Sequence, residues 1–280
     1  MRRAIILGCG SAGGVPSISR GWGECDPANP KNRRLRPSIL IESDTTRILV
    51  DTSPDCREQL LSADVRRLDA VLYTHDHADH VHGIDDLREV NRAMQAALDI
   101  HATPDVLASL TSRFPYVVGG VEEGQSIYKP MLNLHPLTGP FTVGDIDVVP
   151  FDQDHGFCRT TGFRFGPLAY STDVVELPEE AFEVLADIDT WIVACLTLNQ
   201  HPTHAHLDKV LDWHRRLKPR RMVLTHMTPS LDYNALKSLL PDGVEPAYDG
   251  LELDVEDALR KSPVSANVAP FSERPERCEV

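Results

Sequence analysis

Residues 75–80 read His-Asp-His-Ala-Asp-His and directly follow the apolar run DAVLYT, which predicts a buried strand. Three imidazoles and two carboxylates within six residues rarely come together for structural reasons alone. His75 and His77 alternate, so extended backbone would direct both imidazoles the same way, while Asp79 and His80 turn toward a second point nearby. Because zinc and similar metals accept imidazole and carboxylate, this cluster predicts ligands for two metal ions.

Further donors follow three other apolar runs, each at the point where a strand is predicted to end. His155 follows VVPFDQD, Asp173 follows LAYST, and His226 follows RMVLT. A single histidine at such a point is more often an ordinary loop residue than a ligand. Together with the cluster at residues 75–80, however, these segments predict one edge of the sheets at which all of the side chains meet.

Strand and helix signals alternate loosely along the chain and predict an α/β fold. Strands are expected at AIILG, SILIES, TRILVD, DAVLYT, FTVGDIDVVPF, TTGFRF, LAYSTD, TWIVACL and RMVLTH. Helices are expected over residues 54–62, 84–98, 178–186 and 204–217, and after Pro104. No repeat or flexible linker divides the chain, so residues 1–260 are predicted to form one domain and residues 261–280 a tail or surface arm.

The formal net charge of -14 excludes broad binding to nucleic acid or to anionic membranes, because most of the surface would repel a polyanion. The opening MRRAIILGCG is too short to span a membrane and lacks the layout of a signal peptide. The six cysteines stand singly, without a CxxC pair. These features predict a cytoplasmic protein with reduced thiols and no membrane association, and they leave a homodimer open.

The pattern HxHxDH, followed by His, Asp and His at strand ends, resembles the metallo-β-lactamase superfamily over about the first 255 residues. The resemblance implies a four-layer αββα sandwich and a centre for two divalent metal ions, zinc or manganese. It implies one metal bound by His75, His77 and His155, a second bound by Asp79, His80 and His226, and Asp173 as the bridge between them. The resemblance also implies that Asp79 is a catalytic residue as well as a metal ligand. Asp51, at the end of RILVD, would orient a ligand histidine from behind.

Several segments resemble the branch of cyclic phosphate phosphodiesterases within this superfamily: GCGSAGGVP, the loop with Trp22 and Cys25, LTH at His226, and YDGLEL. That branch also carries a structural zinc, held by three cysteines of the early loop and by a histidine after the last metal ligand. Here the loop has Cys25 alone, and Pro229 stands where that histidine is expected. The sequence therefore predicts no structural zinc, and it leaves open whether the substrate is identical to that of the branch.

The segment HPTHAH, residues 201–206, is the second informative cluster. Its position is similar to that of a histidine that assists at the phosphate in this branch and in the transfer-RNA 3′-processing endonuclease. By that match His204 is predicted to be the general acid or transition-state stabiliser, with His206 as second choice. Surface histidines at a helix start are the alternative interpretation. The implied reaction is hydrolysis of a small cyclic or nucleotide-like phosphodiester by a hydroxide held between the metal ions.

Three arginines of the early loop, Arg33, Arg34 and Arg36, form a possible phosphate clamp or, equally, a solvated basic turn. The competing functions are a ribonuclease for transfer-RNA precursors, a hydrolase of thioesters, lactones or lactams, and a non-catalytic metal-binding or ligand-binding relative. A ribonuclease of this kind usually needs a basic protruding arm, and the sequence shows none. A small phosphorylated substrate is therefore the favoured partner.

Overall fold

The structure, a computed structural model, describes residues 3–120 and 126–255. Its strands are β1 (Arg3–Gly8), β2 (Ser38–Glu42), β3 (Arg47–Val50), β4 (Ala70–Leu72), β5 (Leu98–Ala102), β6 (Leu132–Pro136), β7 (Phe141–Val143), β8 (Ile146–Asp154), β9 (Arg159–Phe165), β10 (Leu168–Ser171), β11 (Thr190–Ala194), β12 (Arg221–Thr225), β13 (Val244–Pro246) and β14 (Glu252–Asp254). Its α-helices are α1 (Cys56–Ser62), α2 (Ala78–Val81), α3 (Leu87–Met94), α4 (Pro104–Arg113), α5 (Glu179–Val184), α6 (Leu207–Leu217) and α7 (Tyr233–Leu239). Short 3-10 helices lie at Pro30–Asn32 and Ile84–Asp86.

The strands form two seven-stranded sheets, each half antiparallel and half parallel. The first sheet has the order β14-β1-β2-β3-β4-β5-β6, and its strands are parallel from β3 to β6. The second has the order β13-β12-β11-β10-β9-β8-β7, and its strands are parallel from β10 to β13. The carboxyl ends of neighbouring parallel strands lie at one edge, where ligands of α/β proteins commonly bind.

The alternation of side chains along β1 shows how the layers are packed. Ala4 and Ile6 belong to the apolar core between the sheets, together with Phe163 of β9. Ile5 belongs to a second core on the other face of the first sheet, together with Leu60 of α1. Both faces of the first sheet are therefore buried, one against the second sheet and one against helices.

Helices α5 and α6 cover the outer face of the second sheet. Phe182 of α5 and Trp213 of α6 join the same apolar cluster as the strands β10 to β12. The indole rings of Trp213 and Trp191 lie with centroids 5.9 Å apart. The order helix, sheet, sheet, helix confirms the predicted four-layer αββα sandwich.

Most predicted elements are confirmed, but the helix expected to reach Leu98 is too long. Helix α3 ends at Met94, because Gln95 adopts a left-handed backbone with φ 53°, and Leu98 begins β5. Leu98 fits the helical spacing only by chance, because it is a buried apolar residue of strand β5. Helix α6 begins at Leu207, three residues later than predicted. The boundary at residue 260 and the tail 261–280 lie outside the described residues.

The thiol prediction holds for four cysteines and fails for one. Cys9, Cys25, Cys56 and Cys195 are free and buried. Cys158 is disulfide-bonded, so the prediction that all the cysteines are reduced is wrong at this position. Among the described residues, no helix is long and apolar enough to cross a membrane.

Asp249 fixes the long loop between β1 and β2 to the C-terminal part of the fold. Its carboxylate accepts hydrogen bonds from the backbone N–H groups of Cys9, at 3.0 Å, and Leu35, at 2.6 Å. Burial raises the pKa of Asp249 to about 6. Arg34, which is buried, donates from Nη2 to the backbone carbonyl of Leu231 at 2.7 Å. Two polar side chains, the half-buried Asp249 and the buried Arg34, therefore hold the loop in place.

We expect Asp249→Ala to lower the free energy of unfolding by about 2 kcal/mol or more, because two backbone N–H groups would lose the carboxylate that accepts their hydrogen bonds. Denaturant unfolding near neutral pH measures the change. The matched control is Glu183→Ala at an exposed position of α5, which should stay within about 0.5 kcal/mol of the wild type. Equal stability of the Asp249 variant and this control would contradict the anchoring role.

Candidate metal centre

Three residues at the ends of strands adopt the left-handed backbone that non-glycine residues rarely use. Asp51 follows β3 with φ 64°, Asp173 follows β10 by two residues with φ 49°, and His226 follows β12 with φ 57°. This conformation turns the chain sharply at the carboxyl edge of each sheet. Such strained positions cluster at functional sites, where the surrounding structure imposes them.

The seven predicted ligands converge at this edge in two groups that share one residue. The first group comprises His75, His77, His155 and Asp173, and the second comprises Asp79, His80, Asp173 and His226. In each group, one ligand atom from every residue lies within 4.8 Å of the others. The carboxylate of Asp173 belongs to both groups and therefore lies where the resemblance places the bridge.

Asp51 lies behind this cluster and orients His80. Its buried carboxylate lies 2.7 Å from His80 Nδ1 and accepts hydrogen bonds from the backbone N–H of Thr74, at 2.9 Å, and from its hydroxyl, at 2.8 Å. Since the hydroxyl of Thr74 donates to Asp51, its oxygen accepts from His75 Nδ1, 2.9 Å away. Hydrogen bonds at Nδ1 leave the Nε2 atoms of both histidines free to face the site.

The fit to metal ions rests on those Nε2 atoms. The Nε2 atoms of His75, His77 and His80 are buried and have no hydrogen-bond partner among the described residues. His80 Nε2 lies 3.0 Å from Asp173 Oδ2, but without hydrogen-bond geometry. An unsatisfied buried polar atom costs about 1–3 kcal/mol, and three converging ones are rare in a folded protein. A metal ion in each group would satisfy them, so the residues present fit a metal site.

Burial also keeps several of these imidazoles in the form that binds metals. It lowers the pKa of His75 well below its usual value, lowers that of His155, and lowers that of His226 to about 4. A neutral imidazole has the lone pair that a metal ligand requires.

The carboxylates have the opposite effect on His80. Burial lowers its pKa, but the charges of Asp79, Asp173 and Asp51 outweigh that effect and raise the pKa well above its usual value. Burial alone would raise the pKa of Asp173, yet His226 and His80 hold it well below its usual value. The second group therefore holds a strong negative potential that requires a positive charge, from a proton or from a metal ion.

His204 also lies in the site, whereas His206 does not contact it. His204 Nε2 lies 3.1 Å from Asp173 Oδ1, and the imidazole of His204 stacks on that of His226 with ring centroids 5.1 Å apart. His206 is the N-cap residue of α6. Across the described ranges, no hydrogen bond or ring contact joins it to the two groups. The geometry thus favours His204, the first of the two predicted choices.

The three arginines of the early loop do not form a clamp. Arg34 is buried beneath the loop, with its Nη1 4.0 Å from Cys25 Sγ, and cannot reach a substrate. Arg36 is bound by the carboxylate of Asp55 through Nε, at 2.8 Å, and Nη2, at 2.5 Å. Arg33 alone of the three is exposed. The clamp interpretation is therefore wrong for Arg34.

Sequence reasoning missed a set of threonines next to the site residues. Threonine directly precedes four of them, in the pairs Thr74–His75, Thr172–Asp173, Thr203–His204 and Thr225–His226. In the first three pairs the hydroxyl contacts the neighbouring side chain, at 2.9, 2.6 and 2.8 Å. The repeated threonine at strand and loop ends was the available signal. It was overlooked because a threonine carries no charge and binds metals poorly.

The two stacked mixed sheets, with histidines and aspartates meeting at their carboxyl edge, define the metallo-β-lactamase fold. The family comparison agrees: residues 46–227 match the beta-lactamase superfamily domain, and the chain belongs to this family. A crystal structure described as a new diphosphatase from the PhnP family is 32% identical, has a TM-score of 0.84, and aligns with 91% of this chain and 98% of that chain. This likeness confirms the predicted resemblance to the phosphodiesterase branch.

Of two other relatives, one is a much longer protein and the other is less similar in sequence. An octanoyltransferase of Porphyromonas gingivalis is 32% identical over 260 residues, which are 91% of this chain but 52% of that protein. The chain thus spans about half the length of the curated relatives it matches. Zinc-bound PqqB from Methylobacterium extorquens is 20% identical over 90% of this chain and all of that chain, with a TM-score of 0.68, and shows the fold alone.

We expect Asp51→Ala to weaken the binding of a divalent metal by about 10-fold to 100-fold, because His80 would lose the carboxylate that orients it. Titration of the metal-free protein by calorimetry measures the affinity, and circular dichroism verifies that the variant is folded. Asp242→Ala, at an exposed turn, removes the same side chain far from the site and serves as the control. Unchanged affinity in folded Asp51→Ala protein would exclude the orienting role.

Proposed function

We propose that this hydrolase is a dinuclear phosphodiesterase that acts on a small cyclic or nucleotide-like phosphodiester. One observation carries the proposal: the carboxylate shared by the two ligand groups, Asp173, also contacts Nε2 of His204 at 3.1 Å. His204 belongs to neither group. A site with two metal positions and an additional imidazole beside them provides a proton donor that metal binding does not occupy.

Two further observations support a small phosphorylated substrate. The relative described as a diphosphatase aligns along almost its whole length with this chain, and its name concerns a phosphoryl substrate. The net charge of -14 disfavours a large polyanion such as a transfer-RNA precursor. Zinc and manganese both suit a ligand set of imidazoles and carboxylates.

Metal binding, orientation of the ligand histidines and proton donation belong to different residues of the chain. Two divalent ions, when bound by the two groups, would lower the pKa of water and neutralise the charge on phosphoryl oxygens. Asp51 and Thr74 fix the orientation of His80 and His75. His204 presents Nε2 toward Asp173, where it can donate a proton to the leaving oxygen of the substrate. No covalent nucleophile from the protein is required.

Hydrolysis of a thioester or lactone is the second candidate function, because the fold alone does not distinguish acyl from phosphoryl transfer. His204 favours phosphodiester hydrolysis, in which a poor alkoxide leaving group needs a proton. A non-catalytic relative would have no use for a proton donor beside its metals. Parallel assays with bis-p-nitrophenyl phosphate, a thioester and a lactone, each with added zinc or manganese, separate these functions.

We expect the purified protein to bind two divalent ions per chain, because the two ligand groups are complete and adjacent. Elemental analysis after reconstitution gives the stoichiometry. Asp173→Ala should lose activity and much of both ions while remaining folded, since the shared carboxylate belongs to both groups. A stoichiometry near zero in the wild type would refute the dinuclear centre, and full activity in Asp173→Ala would refute the bridge.

We expect His204→Ala to lower kcat on a diester with an alkyl leaving group by about 100-fold to 10,000-fold, with unchanged metal content. The loss should be smaller with p-nitrophenolate, which departs without a proton. His135→Ala, an exposed histidine at the far edge of the first sheet, is the matched control. If metal is lost, His204 is a ligand; if only His206→Ala is impaired, the role belongs to His206.

A further inference from the structure

Phe157 is the most exposed aromatic residue in the described ranges, with an exposed fraction of 74%. It lies in the turn between β8 and β9, two residues after His155 of the first ligand group. A single exposed apolar side chain is ordinary on a protein surface and by itself indicates no function. Two further observations concern Phe157: the construction of its turn and its short separation from the metal centre.

Several hydrogen bonds fix the turn that carries Phe157. The backbone N–H of His155 donates to the carbonyl of Cys158 at 2.9 Å, and the N–H of Phe157 donates to the carbonyl of His155 at 3.2 Å. The N–H of Gly156 donates to the carboxylate of Asp154 at 2.7 Å. The backbone beneath the exposed ring is therefore already ordered, so a ligand that covers the ring costs little conformational entropy in the protein.

The same turn packs against the segment that carries His204. Gly156 has φ +85°, and a Cβ at this position would lie only 3.0 Å from Cγ2 of Thr203. The backbone carbonyl of Thr203 also lies 2.7 Å from Nδ1 of His155. Phe157 therefore lies at the rim of the site, next to the first ligand group and to the segment of the proposed proton donor.

The separation between Phe157 and the metal centre suits a nucleotide. Two residues of chain lead from His155 to Phe157, and two residues span at most about 7 Å between Cα atoms. This span is comparable to the distance between the phosphate and the base within one nucleotide. A nucleotide whose phosphate lies at the two ligand groups can therefore reach the ring of Phe157 with its base.

The chemistry of a phenylalanine side chain indicates which part of a substrate it contacts. The benzene ring has two flat apolar faces and no hydrogen-bonding group. It therefore binds a planar ring by stacking and does not read the polar edge of a base. A sugar phosphate without a base offers no planar surface of this kind, whereas a nucleobase does.

We propose that Phe157 is a specificity-determining residue that stacks on the nucleobase of the substrate. The substrate class is then a phosphodiester that contains a nucleotide, rather than a cyclic sugar phosphate without a base. This inference rests on the proposed phosphodiesterase function and narrows it to one of its two substrate types. Because stacking does not read the edge of the base, different bases should be accepted, with purines favoured by their larger faces.

Two p-nitrophenyl esters test the stacking, because they release the same leaving group and differ only in the base. One is thymidine 5′-(p-nitrophenyl phosphate), and the other has hydrogen in place of thymine. We expect Phe157→Ala to lower the ratio of their kcat/KM values by about 5-fold to 100-fold, the usual effect of removing an aromatic side chain that stacks on one base. Phe157→Tyr should keep the wild-type ratio, because the flat ring remains. Tyr128→Ala, which removes an exposed ring beside α3, is the matched control.

Phe157→Leu separates stacking from a general apolar contact. Leucine keeps an apolar side chain but has no flat face. We expect the ratio in Phe157→Leu to fall most of the way to that in Phe157→Ala. A wild-type ratio in either of these two variants would overturn the inference.

Calorimetric titration of the zinc-loaded protein gives a readout that does not depend on turnover. The ligands are thymidine 5′-monophosphate and the same phosphate with hydrogen in place of thymine. We expect the wild type and Phe157→Tyr to bind the first ligand about 5-fold to 100-fold more tightly than the second, and Phe157→Ala to bind both alike. Equal affinity of the wild type for the two ligands, or binding of neither, would overturn the inference. If the wild type shows the expected difference in affinity but hydrolyses no phosphodiester, the proposed function fails, whereas the recognition of the base by Phe157 is supported.

Discussion

The buried carboxylate of Asp173 is the group around which the site is arranged. Its oxygens lie 3.0 Å from Nε2 of His80, 3.1 Å from Nε2 of His204 and 3.4 Å from Nδ1 of His226. A carboxylate removed from water costs several kcal/mol unless polar partners surround it. The imidazoles supply these partners, but burial keeps several of them neutral. The centre is therefore short of positive charge, and this shortage is what makes it suitable for divalent cations.

The sandwich brings the two halves of the site together from different sheets. The residues from His75 to His80 follow β4 of the first sheet, whereas Asp173 and His226 follow β10 and β12 of the second. No segment alone completes a ligand group, because each group needs Asp173 together with residues of the first sheet. The geometry of the site consequently depends on the packing of the central core.

The sequence predicts well which side chains converge at the edge of the sheets, because their signal is local. His155, Asp173 and His226 each follow an apolar run, and the strands that end there are confirmed. Other features depend on contacts between distant segments and leave no local signal. Arg34 looked like a surface arginine, but the carbonyl of Leu231, 197 positions away, accepts its hydrogen bond in the interior. Leu98 fitted a helical pattern, yet pairing with Leu132 makes it part of a strand.

The difference in charge between a metal-loaded site and the rest of the protein surface affects which substrates can bind. The chain carries a net charge of -14, so an anionic substrate is repelled at long range. Two bound divalent ions would bring four positive charges against three nearby carboxylates, those of Asp51, Asp79 and Asp173. The edge of the sheets would then be attractive to a compact anion, because ions screen its interaction with the more distant negative surface. A long polyanion would instead contact that surface over its whole length. The same metals that provide the chemistry would thus also select a small phosphorylated substrate.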